Sequence, residues 1–118
     1  MENKDEEEKK IPLHVDRERV YVFPSRIEYL ESVKNEHKTI FHFSEPEKNP
    51  PITATGCIST YLQQLPPQLF CMVHRSFVIH TRKIKAYDLG RCLTMDSGAE
   101  VSLSEQGKQN LIDKGIQL

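Results

Sequence analysis

The 118-residue sequence predicts a mainly β domain, with small stacked antiparallel β-sheets and two short helices. Three observations lead there. Short β-branched and aromatic runs succeed one another with turn residues between them, and no helical crossover intervenes, which favours antiparallel pairing. Only two segments carry apolar residues at helical spacing. Neither Gly-x-Gly-x-x-Gly nor Gly-Lys-Ser/Thr occurs, so a parallel nucleotide-binding α/β fold is excluded.

The chain opens on an acidic stretch. Residues 1–18 hold seven acids against four bases, and the remainder holds ten against twelve. The first ten residues are almost wholly charged or polar and cannot bury enough surface to offset ordering entropy. Residues 1–18 are therefore expected to be an acidic, disordered tail, and 19–118 the domain. Val20-Tyr21-Val22-Phe23 reads as a strand closed by Pro24-Ser25. Ile27 to Val33 follows, with Ile27, Tyr29 and Val33 on one parity. The polar loop Lys34-Asn35-Glu36-His37 joins it to Thr39 to Phe43 in a hairpin. Ser44 to Pro51, with three prolines among charged and amide residues, is an exposed loop.

Ile58, Tyr61, Leu62 and Leu65 stand at i, i+3, i+4 and i+7 and predict a helix, capped by Thr55 and stopped by Pro66-Pro67. Cys71-Met72-Val73 and Phe77-Val78-Ile79 bracket a bend at His74-Arg75-Ser76. Ile84 to Leu89 and Cys92 to Met95 form a second hairpin around Gly90, and Asp96-Ser97-Gly98 turns into a strand near Val101. Ser104 caps a closing helix that carries Leu111 and Ile112 and ends at Gly115.

Several classes of function are disfavoured. No apolar run approaches the roughly 18 residues that cross a membrane. The N-terminus lacks the basic and apolar regions of a signal peptide, so a cytoplasmic protein is expected. Cys57, Cys71 and Cys92 are odd in number and show no Cys-x-x-Cys spacing, which reads as small core residues in a reducing compartment. His37 and His42 lie five apart and His74 and His80 six apart, with no His-Glu-x-x-His, so no metal site is expected. His42 reads as a sheet-face residue with a hydrogen-bond partner and His37 as an exposed loop residue. Ser76 beside His74 lacks the Gly-x-Ser-x-Gly elbow of a hydrolase. Neither a cofactor nor an enzymatic activity is expected.

One charge cluster stands out. Between Cys71 and Arg91 lie Arg75, Arg82, Lys83, Lys85 and Arg91 against the single acid Asp88. Such density in a nearly neutral chain is the footprint of a phosphate-facing surface, or else of an edge strand whose lysines suppress aggregation. Arg75 and Ser76 sit at a bend. Arginine offers a planar fork of donors to phosphate or guanine, and serine a compact donor. Alternatively, Arg75 bonds loop carbonyls and holds the bend.

The run Leu65-Pro66-Pro67-Gln68-Leu69-Phe70-Cys71-Met72-Val73-His74-Arg75-Ser76-Phe77-Val78-Ile79-His80, followed by Lys83-Ile84, resembles the signature of the LytTR DNA-binding domain. That signature is a helix, Leu-Pro, Phe, His-Arg-Ser-Phe-Ile-Val-Asn and a Lys-Ile strand. Ile27-Glu28-Tyr29-Leu30-Glu31-Ser32 is similar to the family's opening Ile-x-Tyr-Ile-Glu strand. Gly98 and Val101-Ser102-Leu103-Ser104 are similar to its Gly-x-x-Ile-Pro-Val-Ser-Arg segment. The resemblance covers roughly residues 19 to 114.

The resemblance implies a bacterial transcription regulator that binds double-stranded DNA through loops, rather than a recognition helix, in successive major grooves. It also implies which places face DNA: the loop holding His37, flanked by Lys34 and Lys38; His80 with Thr81, Arg82 and Lys83; and the start of the last helix at Ser102 to Ser104. Arg75 and Ser76 would belong to the framework or the phosphate shell. His37, His80 and Ser104 are then expected along one face. The family usually has Asn at the position of His80 and Arg at that of Ser104; Asn reads adenine and Arg guanine, so a different sequence preference is expected. The chain leaves no room for a receiver domain, which implies a stand-alone regulator, with self-association on paired DNA sites and no membrane partner or small-molecule substrate. The alternative is a protein-interaction module that keeps the fold and has lost DNA contact.

Overall fold

The computed structural model describes residues 8–89 and 91–118; Gly90, on which the second hairpin turn was expected, and residues 1–7 of the expected tail lie outside the described residues. The described strands form three antiparallel sheets. A two-stranded ribbon pairs β1 (Ile11–Val15) with β2 (Glu18–Val22). The central sheet holds β3 (Ile27–Val33), β4 (Lys38–Phe43), β5 (Ile52–Thr55), β6 (Phe70–His74) and β7 (Phe77–His80), in the order β5-β4-β3-β7-β6. The third sheet holds β8 (Ile84–Asp88), β9 (Cys92–Met95) and β10 (Glu100–Ser102), in the order β10-β9-β8. Two helices, α1 (Ile58–Leu62) and α2 (Glu105–Asp113), complete the domain.

The ordered chain begins well before residue 19, which corrects the expected boundary. Ile11 and Leu13 alternate inward along β1 and are buried, while His14 between Leu13 and Val15 stays exposed. Two buried side chains and a partner strand provide the stabilisation that the neighbouring charges argue against. β5 is a second strand the sequence reading passed over; it pairs with β4 from Lys38↔Thr55 to Phe41↔Ile52.

The central sheet is covered on both faces. On one side Ile27, Leu30, Phe41, Phe70 and Val78 join Leu13 of the ribbon and Ile58, Tyr61 and Leu65 of the α1 region. On the other, Tyr29, Cys71, Val73 and Ile79 pack with Leu93, Met95 and Val101 of the third sheet and Leu111 of α2. Ile27 and Tyr29 therefore do not share a face, although simple alternation puts them together. A register shift between them in the β3–β4 pairing inverts the parity. Both edges of the sheet are protected: β1 lies against β5, and α2 lies along β6, where Asn110 Nδ2 donates to the Met72 carbonyl (3.0 Å).

Glu28 is fully buried in β3. Its carboxyl accepts from the backbone N–H (3.0 Å) and the hydroxyl (2.5 Å) of Ser97, which ties the β9–β10 turn to the central sheet. Helix α1 is shorter than its apolar pattern suggests, and Cys57, not Thr55, occupies its N-cap without a side-chain bond. Thr55 instead ends β5, where its carbonyl accepts the Tyr61 hydroxyl. Helix α2 starts as expected, with Ser104 Oγ accepting the Gly107 N–H (2.9 Å). Cys71 is buried, Cys57 and Cys92 are partly so, and all three are free thiols. Among the described residues no helix is long and apolar enough to cross a membrane.

Candidate nucleic-acid interface

Antiparallel order gathers loops at the two ends of the central sheet. At one, the hairpin end, β3 passes to β4 through residues 34–37 and β6 to β7 through Arg75-Ser76. Backbone bonds lock these turns together: Ser32 N–H donates to the Ser76 carbonyl (2.9 Å), and Gly56 N–H to that of His37 (2.8 Å). Ser104 N–H donates to the Val73 carbonyl (2.9 Å), which brings the start of α2 to the same end. Leu103 N–H donates to Arg91, so the β8–β9 turn joins the group.

Lys34, His37 and Lys38 are exposed. Asn35 (φ 66°) and His37 (φ 51°) both adopt the left-handed region that side chains other than glycine seldom enter. His37 Nδ1 stands 3.0 Å from Cys57 Sγ, which anchors the ring and leaves Nε2 without a partner among the described residues.

His74 and His80, six residues apart, serve the backbone. His74 Nδ1 accepts the Ser76 N–H (3.1 Å), and His80 Nδ1 accepts the Arg82 N–H (3.2 Å). Each ring caps the turn that follows its strand. The β6–β7 bend is therefore held by His74 and not by Arg75. Arg75 is exposed, makes no hydrogen bond or ion pair among the described residues, and shares a 300 Å³ cleft with Ser104 and Gln106. A long cationic fork at a rigid tip, with nothing of its own to bind, is the strongest donor at this end. Arg91 (φ 80°) pairs with Glu105 (3.0 Å), but both side chains are largely exposed, so salt weakens the bond.

Two of the residues expected to face DNA, His80 and Ser104, have their side chains engaged within the domain. His80 is buried at 5% exposure, with its ring edge-on to Phe70 (centroids 4.9 Å apart). Burial, reinforced by the Lys83 and Arg82 charges, pushes its pKa down to about 4, which agrees with a neutral ring accepting through Nδ1. His80 also ends β7 opposite the Ser76 turn, so His37, His80 and Ser104 do not line one face. Ser104 is at the hairpin end, but its hydroxyl caps α2 and donates to the Val73 carbonyl (3.3 Å). Ser102 is exposed beside it.

In the segment after His80, Thr81 donates to the Leu69 carbonyl (3.1 Å) and Lys83 Nζ to Ser44 Oγ (2.6 Å). Only Arg82 is exposed there, and its side chain has no partner among the described residues. His42, as expected, lies on the sheet, stacked on Tyr29 (4.1 Å, 7°) with Nε2 3.0 Å from Glu31. Among the described residues no group of three or more His, Cys, Asp or Glu could hold a metal.

Sequence alone assigns Arg75 to the framework or the phosphate shell. The only signal available was its place at a bend between two apolar runs. That His74 holds the bend, and so frees the arginine, is visible only in three dimensions.

The family model described as the LytTr DNA-binding domain matches residues 8–115. No curated protein matches the chain. Among solved structures, the chain is similar to a LytTr DNA-binding domain from Bacillus cereus, with 25% identity and a TM-score of 0.72, over 90% of this chain and 95% of that one.

Proposed function

This chain belongs to the LytTR DNA-binding domain family, and from that premise we propose that it is a transcription regulator whose hairpin end meets double-stranded DNA. Arg75 and the outer nitrogen of His37 are the base-edge readers in this reading. Lys34, Lys38 and Arg82 contact phosphates, and Ser76, Ser102 and the first turn of α2 line the approach. His80, Thr81, Lys83 and Ser104 position these groups.

One observation carries the reading: four segments from distant parts of the sequence are tied by backbone bonds at a single end, with Arg75 unpartnered among the described residues at their tip. The loops have little to do for the core, yet each is pinned. A pinned polar tip loses less entropy on meeting a base edge than a floppy one. The domain measures 45 × 41 × 27 Å, more than one helical turn of DNA at about 34 Å. Loops in successive grooves belong to this reading; Arg75 and Arg82, at the two ends of β7 and so within about 25 Å of each other along the chain, serve one groove and the backbone beside it. Self-association on paired sites belongs to the same reading.

Selection from random duplex DNA, followed by gel retardation of the winning site across a salt series, tests it. The expected outcome is a recovered consensus whose affinity falls steeply with salt. Retention of no duplex at low salt, with a single protein partner recovered instead, would establish the protein-interaction reading.

A further inference from the structure

A second concave site lies at the other end of the central sheet, between the β1–β2 ribbon and the loop after β4. Its volume is about 420 Å³, within the range of roughly 300–1,000 Å³ of small-molecule pockets. Its floor is apolar: Val22, Phe23, Phe43 and Ile52, all of them at least partly buried. Tyr21 forms one wall at 55% exposure, and Pro50 stiffens the opposite one.

The charged lining is of one sign, with the neutral Asn49 beside it. Lys10, Arg26 and Lys48 stand around the cavity, and no acid is among its described lining residues. Arg26 has no side-chain partner among the described residues. Lys10 lies over the Phe23 ring, 4.9 Å from its centroid, a contact worth little at an exposed site. Lys48 has only the exposed Glu45, 3.5 Å away. Three weakly engaged cations over aromatic and aliphatic carbon form an environment that water satisfies poorly at the floor and that attracts negative charge at the rim.

We propose that this cavity binds a small amphipathic organic anion: a flat apolar body with one anionic head group. The body lies on Phe23, Phe43 and Ile52 and covers the exposed ring of Tyr21. The head group sits between Lys10, Arg26 and Lys48, where a carboxylate, sulfonate or phosphate exchanges water for charge-assisted bonds. The site is separate from the hairpin end: Phe43 and Ile52 lie at the far ends of β4 and β5 from Lys38 and Thr55. A bound anion therefore leaves His37 and Arg75 open.

The test uses the full chain and 1-anilinonaphthalene-8-sulfonate, an aromatic anion that fluoresces on entering an apolar site. Saturable one-to-one binding to the folded protein is expected. The double variant Arg26→Glu, Lys48→Glu, at two surface positions, should weaken it at least tenfold with an unchanged circular dichroism spectrum and melting temperature. The uncharged analogue N-phenyl-1-naphthylamine should bind at least tenfold more weakly than the sulfonate. NMR shifts should concentrate at Val22, Phe23, Phe43 and Ile52. Non-saturable binding, equal affinity for charged and uncharged probes, or an unaffected double variant would each overturn the proposal. So would one probe per two chains, or displacement by an acidic peptide but not by small aromatic carboxylates, because the occupant would then be a protein surface.

Discussion

Gly107 rests directly on the backbone of Val73: a Cβ built on it would lie 1.8 Å from the Val73 carbonyl oxygen and 2.6 Å from its Cα. No rotamer relieves a clash with main chain, so α2 sits against β6 only because this position has no side chain. Gly107→Ala should force the first turn of α2 off the sheet. The expected cost is about 2–4 kcal/mol of stability, at the upper end of overpacking, because backbone must move. Chemical denaturation of both proteins measures it. An unchanged midpoint would show that α2 can slide without loss.

The buried carboxyl of Glu28 has no cationic partner among the described residues and relies on Ser97 for two hydrogen bonds. Ser97→Ala removes the hydroxyl bond and should cost about 1–3 kcal/mol. A double-mutant cycle with Glu28→Gln should reveal a coupling of the same order, since the two changes act on one interaction. Additive losses would mean that the turn, not the bond, sets the stability.

Stability should fall in mild acid through His80. Its folded pKa of about 4 lies below the unfolded value of about 6.5. The unfolded chain therefore takes up the proton first as pH drops, so stability present above about pH 6.5 is lost progressively down to about pH 4. The loss is of the order of 3 kcal/mol. Asparagine does not titrate and can accept the Arg82 N–H by the same side-chain-to-backbone geometry. His80→Asn should accordingly flatten the profile between pH 4 and 6.5 relative to wild type, as followed by urea denaturation. Parallel profiles would remove His80 as the cause.

The groups proposed to face DNA should separate into two kinds. Arg75→Ala should cost about 1–3 kcal/mol on the preferred site and much less on unrelated duplex, as expected of a base reader. Arg82→Ala should weaken all sequences alike and lower the salt slope by about one. Competition gel retardation on both kinds of DNA distinguishes them. If Arg75→Ala proved uniform across sequences, the arginine would be a phosphate contact.

Much of the fold is legible in the sequence, and the gaps have physical causes. The β3–β4 and β8–β9 hairpins follow from short apolar runs and turn residues, and Ser104 as a cap follows from hydroxyl chemistry before an apolar helix face. β1 is hidden because the charges before it outweigh three apolar residues in any local average, and its stabilisation comes from distant partners such as Tyr61, whose hydroxyl accepts the His14 N–H (3.3 Å). β5 is hidden by the prolines preceding it and by its length of four residues. The site was harder to read. The His-Arg-Ser-Phe run marks a conspicuous segment, but which of its side chains holds the turn and which is free to bind depends on ring nitrogens and amides meeting across the bend. His80 illustrates the limit: the resemblance places it towards DNA, and its burial against Phe70 is visible only in three dimensions.

The middle of the central sheet, Ile27 to Leu30 of β3 and Val78 to His80 of β7, is shut off from water, and this divides the chain's tolerance of change very unevenly. A substitution along β3 or β7 must satisfy two cores at once, with no spare surface to absorb a misfit. A substitution at Lys34, His37 or Arg75 answers only to a tip already fixed by main-chain bonds. The body is thus bound to its present side chains far more tightly than the tips are.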